Sequence, residues 1–246
     1  MMRGKIMKFT SEYKVLYHDT NSNELVGISR IFKYLQETAT SQMKAQKPSY
    51  NELLSQNKAF ILSGIRVEVY EPLSYDEKIT VSTWGCPPRG FTFPRSYQIE
   101  RDGELICEAN STWALVDTRD KKLIKASDVE LNYSIDAPLE LERQIRFRIP
   151  QELKLSLVGE YTIRYTDTDV NGHMNNTNYP DMLFNALPSP ESKVVRSIAI
   201  SYQNEAKKGD YLKLYMGKTD GKYYMRSVHE DGRVNVEAEI IVENLN

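Results

Sequence analysis

Cysteine is scarce: Cys86 and Cys107 are the only two in 246 residues, and they form neither a C-x-x-C nor a metal-site spacing. This fits a reducing, cytoplasmic setting better than a disulfide framework. No stretch approaches the ~18 consecutive apolar residues of a transmembrane helix. The opening "MMRGKIMKF" has basic residues but lacks the apolar run of a signal peptide, so no membrane partner and no processing are expected. An excess of one charge is missing as well. With 32 Lys and Arg against 34 Asp and Glu, the formal charge of −2 supplies no field for gripping nucleic acid or an anionic membrane. Partners must be met through local patches.

What is present is enough apolar residue, 40% of the chain, for one large or two small cores. The chain reads as one unit written twice. "YKVLYHDTNSN" from Tyr13 lies without a gap on "YTIRYTDTDVN" from Tyr161, so that Tyr17 meets Tyr165, Asp19 meets Asp167, Thr20 meets Thr168 and Asn23 meets Asn171. Further on, "IRVEVYEPLSYDEKI" (65–79) runs beside "IAISYQNEAKKGDYL" (198–212), and "DGELICEA" (102–109) beside "DGRVNVEA" (231–238). The matches keep the same order in both halves, as whole repeated units must.

Each unit opens on a strand in which Tyr13, Val15 and Tyr17, or Tyr161, Ile163 and Tyr165, alternate with polar residues. A polar turn and a helix follow. In the first unit Ile28, Ile31, Phe32, Leu35, Ala39 and Met43 form a stripe along about four turns. In the second, Tyr179, Met182, Leu183 and Ala186 form a shorter one that "LPSP" ends near Leu187. Four strand-like segments then follow in each unit, with hairpin turns at Asp102-Gly103 and Asp231-Gly232. Residues 118 to about 158 lack periodicity and are predicted to be a linker. The fold class is α+β, a sheet with a helix on one face in each unit, with the sheets joined and the helices side by side. Trp84 and Trp113 are expected in the core or on a sheet face. Cys86 and Cys107 are expected to be inert packing thiols, and His18 and His229 surface or turn residues.

The stretch "YTDTDVNGHMNN" (165–176) concentrates the chemistry. Asp167, Asp169, Asn171 and Gly172 fit the first half of a calcium loop, but its twelfth position is Asn178 where a bidentate carboxylate is required. A strand also precedes it where an EF-hand has a helix. No metal site and no cofactor are expected. A plain polar turn, capped by Asn176 or Thr177, accounts for Asp167 and Asn175. It leaves His173 unexplained, one of three histidines, set beside a helix N-terminus whose free N–H groups hold negative charge. Asp169, Asn171 and His173, two apart, point one way from an extended segment.

"DTDVNGHMNNTNY", "SYQNEAKKGD" and "GELICEANSTWALVD" together resemble the acyl-ACP thioesterase family of plants and bacteria, across both halves of the chain. The resemblance implies two tandem hot-dog domains, each an antiparallel sheet wrapped around a central helix. Domain boundaries of 1–134 and 135–246 are expected, with linker and catalytic residues in the second and the acyl pocket chiefly in the first, on its helix near Ile31, Leu35 and Met43. The implied activity is hydrolysis of fatty acyl-acyl carrier protein, with acyl-CoA hydrolysis or mere acyl binding as alternatives. Carried over by motif, the catalytic residues are Asp169, Asn171, His173 and Glu205. The family's cysteine beside that glutamate is replaced by Ala206, which excludes a thiol nucleophile there. His173 aligns with Leu25, Asp169 with Asn21 and Glu205 with Pro72, so one site per chain is expected. The partner implied is acyl carrier protein, and a homodimer through edge strands is possible.

A thiol leaves readily at a pKa of ~8.5, so effort belongs with the base and the oxyanion. Glu205 with His173 is expected to activate water, Asn171 to position carbonyl or water, and Asp169 to orient His173 or the loop. Backbone N–H groups from Met174 to Asn176 are expected to receive the oxyanion. In an ideal strand Glu205 would face away from Ile198, Ile200 and Tyr202, which requires a strand end or bulge before it. Lys207 and Lys208 are expected to be solvated.

Overall fold

Both halves repeat one order of elements, which a computed structural model describes for residues 8–131 and 135–245. The first holds β1 (Phe9–Lys14), α1 (Ile28–Ala45), α2 (Tyr50–Ser55), β2 (Lys58–Val69), β3 (Lys78–Gly85), β4 (Phe93–Arg101), β5 (Glu104–Asp117) and the short β6 (Lys122–Ile124). The second holds β7 (Ser156–Thr162), α3 (Tyr179–Asn185), β8 (Lys193–Tyr202), β9 (Tyr211–Thr219), β10 (Lys222–His229) and β11 (Val234–Asn244). The opening strands stop earlier than the alternation suggests. Tyr17 and Tyr165 already lie in 3-10 turns and are 78% and 76% exposed.

The strands form one antiparallel sheet in the order β1-β3-β4-β5-β2-β8-β11-β10-β9-β7, with β6 on β5. Read outward from the centre, the two halves have the same order. Across the β2–β8 seam Arg66 lies opposite Ala199, its own counterpart in the duplication, so a pseudo-twofold axis passes through this pair. The expected boundary at 134–135 touches residues 132–134, which lie outside the described range.

α1 buries Ile28, Ile31, Phe32, Leu35 and Ala39 against the sheet, following its apolar stripe. The first turns of α1 and α3 meet and cap each other. Asp181 Oδ1 accepts from the Ser29 N–H at 3.2 Å, and Ser29 Oγ accepts from the Asp181 N–H at 3.0 Å, satisfying helix-start donors in both. One apolar core runs through both units. Helix α2 was not anticipated, although "SYNE" spells a capping box: Ser49 Oγ accepts from the Glu52 N–H at 3.4 Å and Glu52 Oε2 from the Ser49 N–H at 2.6 Å.

The linker is a strap across the outer face of the sheet, held by its backbone rather than by periodic side chains. The carbonyls of Ala137, Leu139 and Gln144 accept from Trp84 Nε1, Asn110 Nδ2 and Arg66 Nε at 3.0, 2.8 and 2.6 Å. Farther along, a Cβ on Gly217 would lie 2.9 Å from Leu153 and Leu155, so the strap's close approach requires glycine there. Beneath it, Arg66, 1% exposed, reaches from the first unit to Glu239 at 2.7 Å and Ser197 at 2.9 Å in the second. Burial pushes the Glu239 carboxyl up, yet Arg66, Lys222 and Tyr224 together outweigh this and hold it below the ordinary range. Burial wins at neighbouring Glu68, whose carboxyl is raised. Among the described residues no helix is long and apolar enough to cross a membrane.

Candidate active site

The polar stretch after β7 folds back on itself before it enters α3. Asp169 Oδ1 accepts from the Asn171 N–H at 2.8 Å, its carbonyl accepts from the Gly172 N–H at 3.0 Å, and its own N–H donates to the His173 carbonyl at 2.8 Å. The turn needs a left-handed residue at its tip, and Gly172 with φ +76° supplies it. These bonds carry His173 to the rim of a cavity. Entry is from a strand, as the sequence implies.

β8 ends at Tyr202, and this resolves how Glu205 can face the site. Residues 203–210 leave the strand as a loop that lies along the first loop, with the Met174 N–H donating to the Ala206 carbonyl at 2.8 Å and His173 bridged to Lys207. Glu205 Oε2 thereby comes to 3.2 Å from His173 Nε2, with the imidazole about a quarter exposed and the carboxylate half exposed. Ala206 is buried beside them.

The four expected residues form two touching pairs. Glu205 meets His173, while Asp169 holds Asn171, whose amide lies 3.4 Å from Asp169 Oδ2. The two pairs are joined by backbone. Asp169 therefore orients the loop and Asn171, and no bond runs from its carboxylate to the imidazole of His173. The expected row of oxyanion donors is also narrower. The Met174 N–H is taken by Ala206 and the Asn175 N–H by the Asp167 carbonyl at 2.9 Å, leaving the Asn176 N–H without an acceptor among the described residues. Tyr202 Oη donates to the Asn176 carbonyl at 3.0 Å and so holds the peptide that follows this N–H. Burial raises the Tyr202 phenol well above its usual range, so it remains a donor.

Behind the pair opens a cavity of about 670 Å³. It runs from His173, Asn176 and Glu205 into the first unit, where Ala39, Met43, Leu53, Phe60, Leu62 and Trp113 line it. Ile31 and Leu35 do not; they are packed in the core, and the helix turns its later residues to the cavity. Leu53 brings the unanticipated α2 to the wall. Among the described residues no three His, Cys, Asp or Glu side chains converge as a metal site. Burial raises both cysteine thiols, keeping them protonated. His229 stands at the expected turn, its N–H donating to the Arg233 carbonyl at 2.9 Å, but not on the surface. It is 7% exposed, with Nδ1 3.8 Å from Asp210 Oδ2 at the far end of the Glu205 loop.

The acyl-ACP thioesterase N-terminal domain matches residues 6–132 and the acyl-ACP thioesterase C-terminal domain residues 151–244. The chain belongs to the acyl-ACP thioesterase family. Curated relatives in it include a chloroplastic palmitoyl-acyl carrier protein thioesterase of Cuphea hookeriana, 22% identical over 91% of this chain and 59% of that one. An oleoyl-acyl carrier protein thioesterase of Arabidopsis thaliana is 23% identical over 85% of this chain and 64% of that one. The chain thus spans about three-fifths of the length of these relatives. Among solved structures, an acyl-ACP thioesterase from Bacteroides thetaiotaomicron superposes with a TM-score of 0.86 at 21% identity, over 95% of this chain and 97% of that one. The 12:0-ACP thioesterase of Umbellularia californica gives 0.79 at 15% identity over 96% and 97%. These likenesses establish the α+β tandem hot-dog fold for this member of the family.

Proposed function

We propose that this chain hydrolyses the thioester of fatty acyl-acyl carrier protein, releasing free fatty acid and the carrier's thiol. The observation that supports this reading best is the 3.2 Å contact of His173 Nε2 with Glu205 Oε2 at the rim of a largely apolar cavity of about 670 Å³. An acyl chain would lie in the part under α1, with its carbonyl at the rim. Acid–base groups then meet water and thioester where the greasy tail ends.

In this reading a water on Glu205 and His173 gives up its proton to that pair as its oxygen attacks the carbonyl carbon. The oxyanion that forms is received by the Asn176 N–H, with the Asn171 amide holding carbonyl or water. Collapse breaks the C–S bond and returns the carbonyl. The leaving thiolate needs little help, since its pKa is ~8.5. Asp169 keeps Asn171 and the turn in place. Water is the nucleophile, because Ala206 offers no thiol beside the pair. The division of labour fits two unlike units: the first supplies most of the cavity and the second the polar set.

The test is thiol release from acyl carrier protein loaded with acyl chains of graded length, set against matched acyl-CoA. His173→Ala and Glu205→Gln are each expected to lower turnover on the order of 10²- to 10⁴-fold at unchanged melting temperature. Turnover that survives both substitutions would overturn the reading. Faster cleavage of the CoA thioester would move the assignment of carrier.

A further inference from the structure

Asn235 in β11 is fully buried, and every polar position of its amide is in use. Nδ2 donates to the Asn204 carbonyl at 2.5 Å and to Tyr179 Oη at 3.1 Å, while Oδ1 accepts from Ser227 Oγ at 2.8 Å. The Val236 N–H donates in turn to Ser227 Oγ at 3.3 Å. A carbonyl can only accept, so the bond to Asn204 fixes which way the amide faces. The two segments joined by this amide carry the two halves of the site. Asn204 immediately precedes Glu205, and Tyr179 opens the helix that follows Asn176.

The first unit shows what the frame requires without these side chains. There the Tyr70 and Glu71 N–H groups donate to the Ile106 carbonyl at 2.9 and 3.3 Å, as the Gln203 and Asn204 N–H groups do to the Asn235 carbonyl at 2.9 and 3.1 Å. Ile106 is therefore the counterpart of Asn235. Ile99 is that of Ser227, each sitting just before the same register shift, opposite Cys107 and Val236. Continued without a gap, the alignment puts Ile31 under Tyr179. Three buried isoleucines hold the same backbone that Tyr179, Ser227 and Asn235 hold in the second unit. Exchanging a satisfied buried polar cluster for well-packed apolar residues is commonly neutral or stabilising, so stability does not explain the polar trio.

We propose that Asn235, oriented by Ser227 and tied to Tyr179, is a positioning residue that sets the distance of Glu205 from the His173 loop. Its kinetic consequence rests on the hydrolytic reading above; its structural consequence does not. A bond of this kind across two loops holds reacting groups to within fractions of an ångström. A misplacement of about 1 Å costs roughly a hundredfold in rate.

The test writes two of the first unit's three isoleucines into the second as Ser227→Ile/Asn235→Ile, and reads kcat, KM, melting temperature and the hydrogen exchange of the Met174 amide that bonds Ala206. Expected are a melting temperature near that of the wild type, kcat lower on the order of tenfold to a hundredfold with KM little changed, and faster exchange at Met174. A folded variant with wild-type kcat and wild-type exchange overturns the proposal. Should the double variant not fold, Tyr179→Phe removes only the phenolic oxygen; a kcat loss of roughly two- to tenfold with faster exchange is expected, and no change in either overturns it. A wild-type protein that cleaves no thioester would sink the hydrolytic reading alone, since the Met174 exchange still decides whether the brace acts.

Discussion

The turn after β1 and the turn after β7 share a backbone almost bond for bond. Asn21 N–H donates to the Leu25 carbonyl as Asp169 N–H does to His173, each at 2.8 Å, and Val26 N–H donates to Leu73 as Met174 N–H does to Ala206, each again at 2.8 Å. Leu25 bridges Ser74 as His173 bridges Lys207. Even the left-handed tip recurs, with Glu24 at φ 61° where the second unit has Gly172 at φ 76°. Yet at the positions of His173 and Glu205 the first unit has Leu25 and Pro72. Its own loop faces a smaller cavity, about 290 Å³, in which His18, Asp19 and Arg30 share the lining with apolar residues such as Leu25 and Leu73. The lesson is that the loop frame is structural property common to both halves, and that the chemistry proposed here was written on one copy of it.

Arg66 is where this comparison breaks hardest, because it sits on the pseudo-twofold axis while its counterpart is Ala199. Arg66→Met leaves Glu68 and Glu239 buried without their shared cation, and a loss of about 3–5 kcal/mol is expected from denaturant midpoints. A smaller value would mean that the strap's Arg143, 3.2 Å from Glu68, and Lys222, 3.3 Å from Glu239, carry the seam. Next in size is the cavity under the later half of α1, a stretch that the seven-residue α3 does not possess. Ala39→Phe fills it, and relative hydrolysis should shift toward shorter acyl chains by about 1–3 kcal/mol, or 10- to 200-fold, in the ratio of kcat/KM values. Smallest is an effect confined to α2, also without a partner in the second unit. The Lys47 ammonium and the Ser49 N–H hold the Glu52 carboxyl down to about 2 from an ordinary 4.5. A depressed carboxylate stabilises above its unfolded value and loses that contribution as pH falls through its folded one. Protection of the Leu53 amide, taken relative to its intrinsic exchange rate, should therefore fall between pH 4.5 and 2, ahead of amides in β8.

Much of the architecture was legible. Alternation marked the strands, the apolar stripe marked α1, and Asp102-Gly103 and Asp231-Gly232 marked hairpins whose glycines have φ of 82° and 85°. The tandem order was readable because the duplication survives in sparse identities at matching places. Helix α2 was missed despite its Ser49 and Glu52 capping box, since six residues are too few to show a stripe. The strap left no pattern, because three of its carbonyls and scattered side chains such as Arg143 and Leu153, at no regular period, bind the sheet. Of the site, His173 stood out through its polar setting, but its approach to Glu205 depends on two loops pairing after their strands end. No period in the chain encodes that. Ser227 and Asn235 were overlooked although polar residues facing each other at core positions of adjacent strands are a readable signal.

The central claim is that thioester chemistry belongs to the second unit's loops while the acyl chain lies in the first unit. A crystal structure with a non-hydrolysable acyl-pantetheine thioether tests it most directly. The acyl chain is expected beneath α1 against Ala39, Met43 and Trp113, with the group replacing the thioester beside His173, Glu205 and the Asn176 N–H. An analogue seated instead at the first unit's loop, beside Leu25 and Pro72, would contradict it.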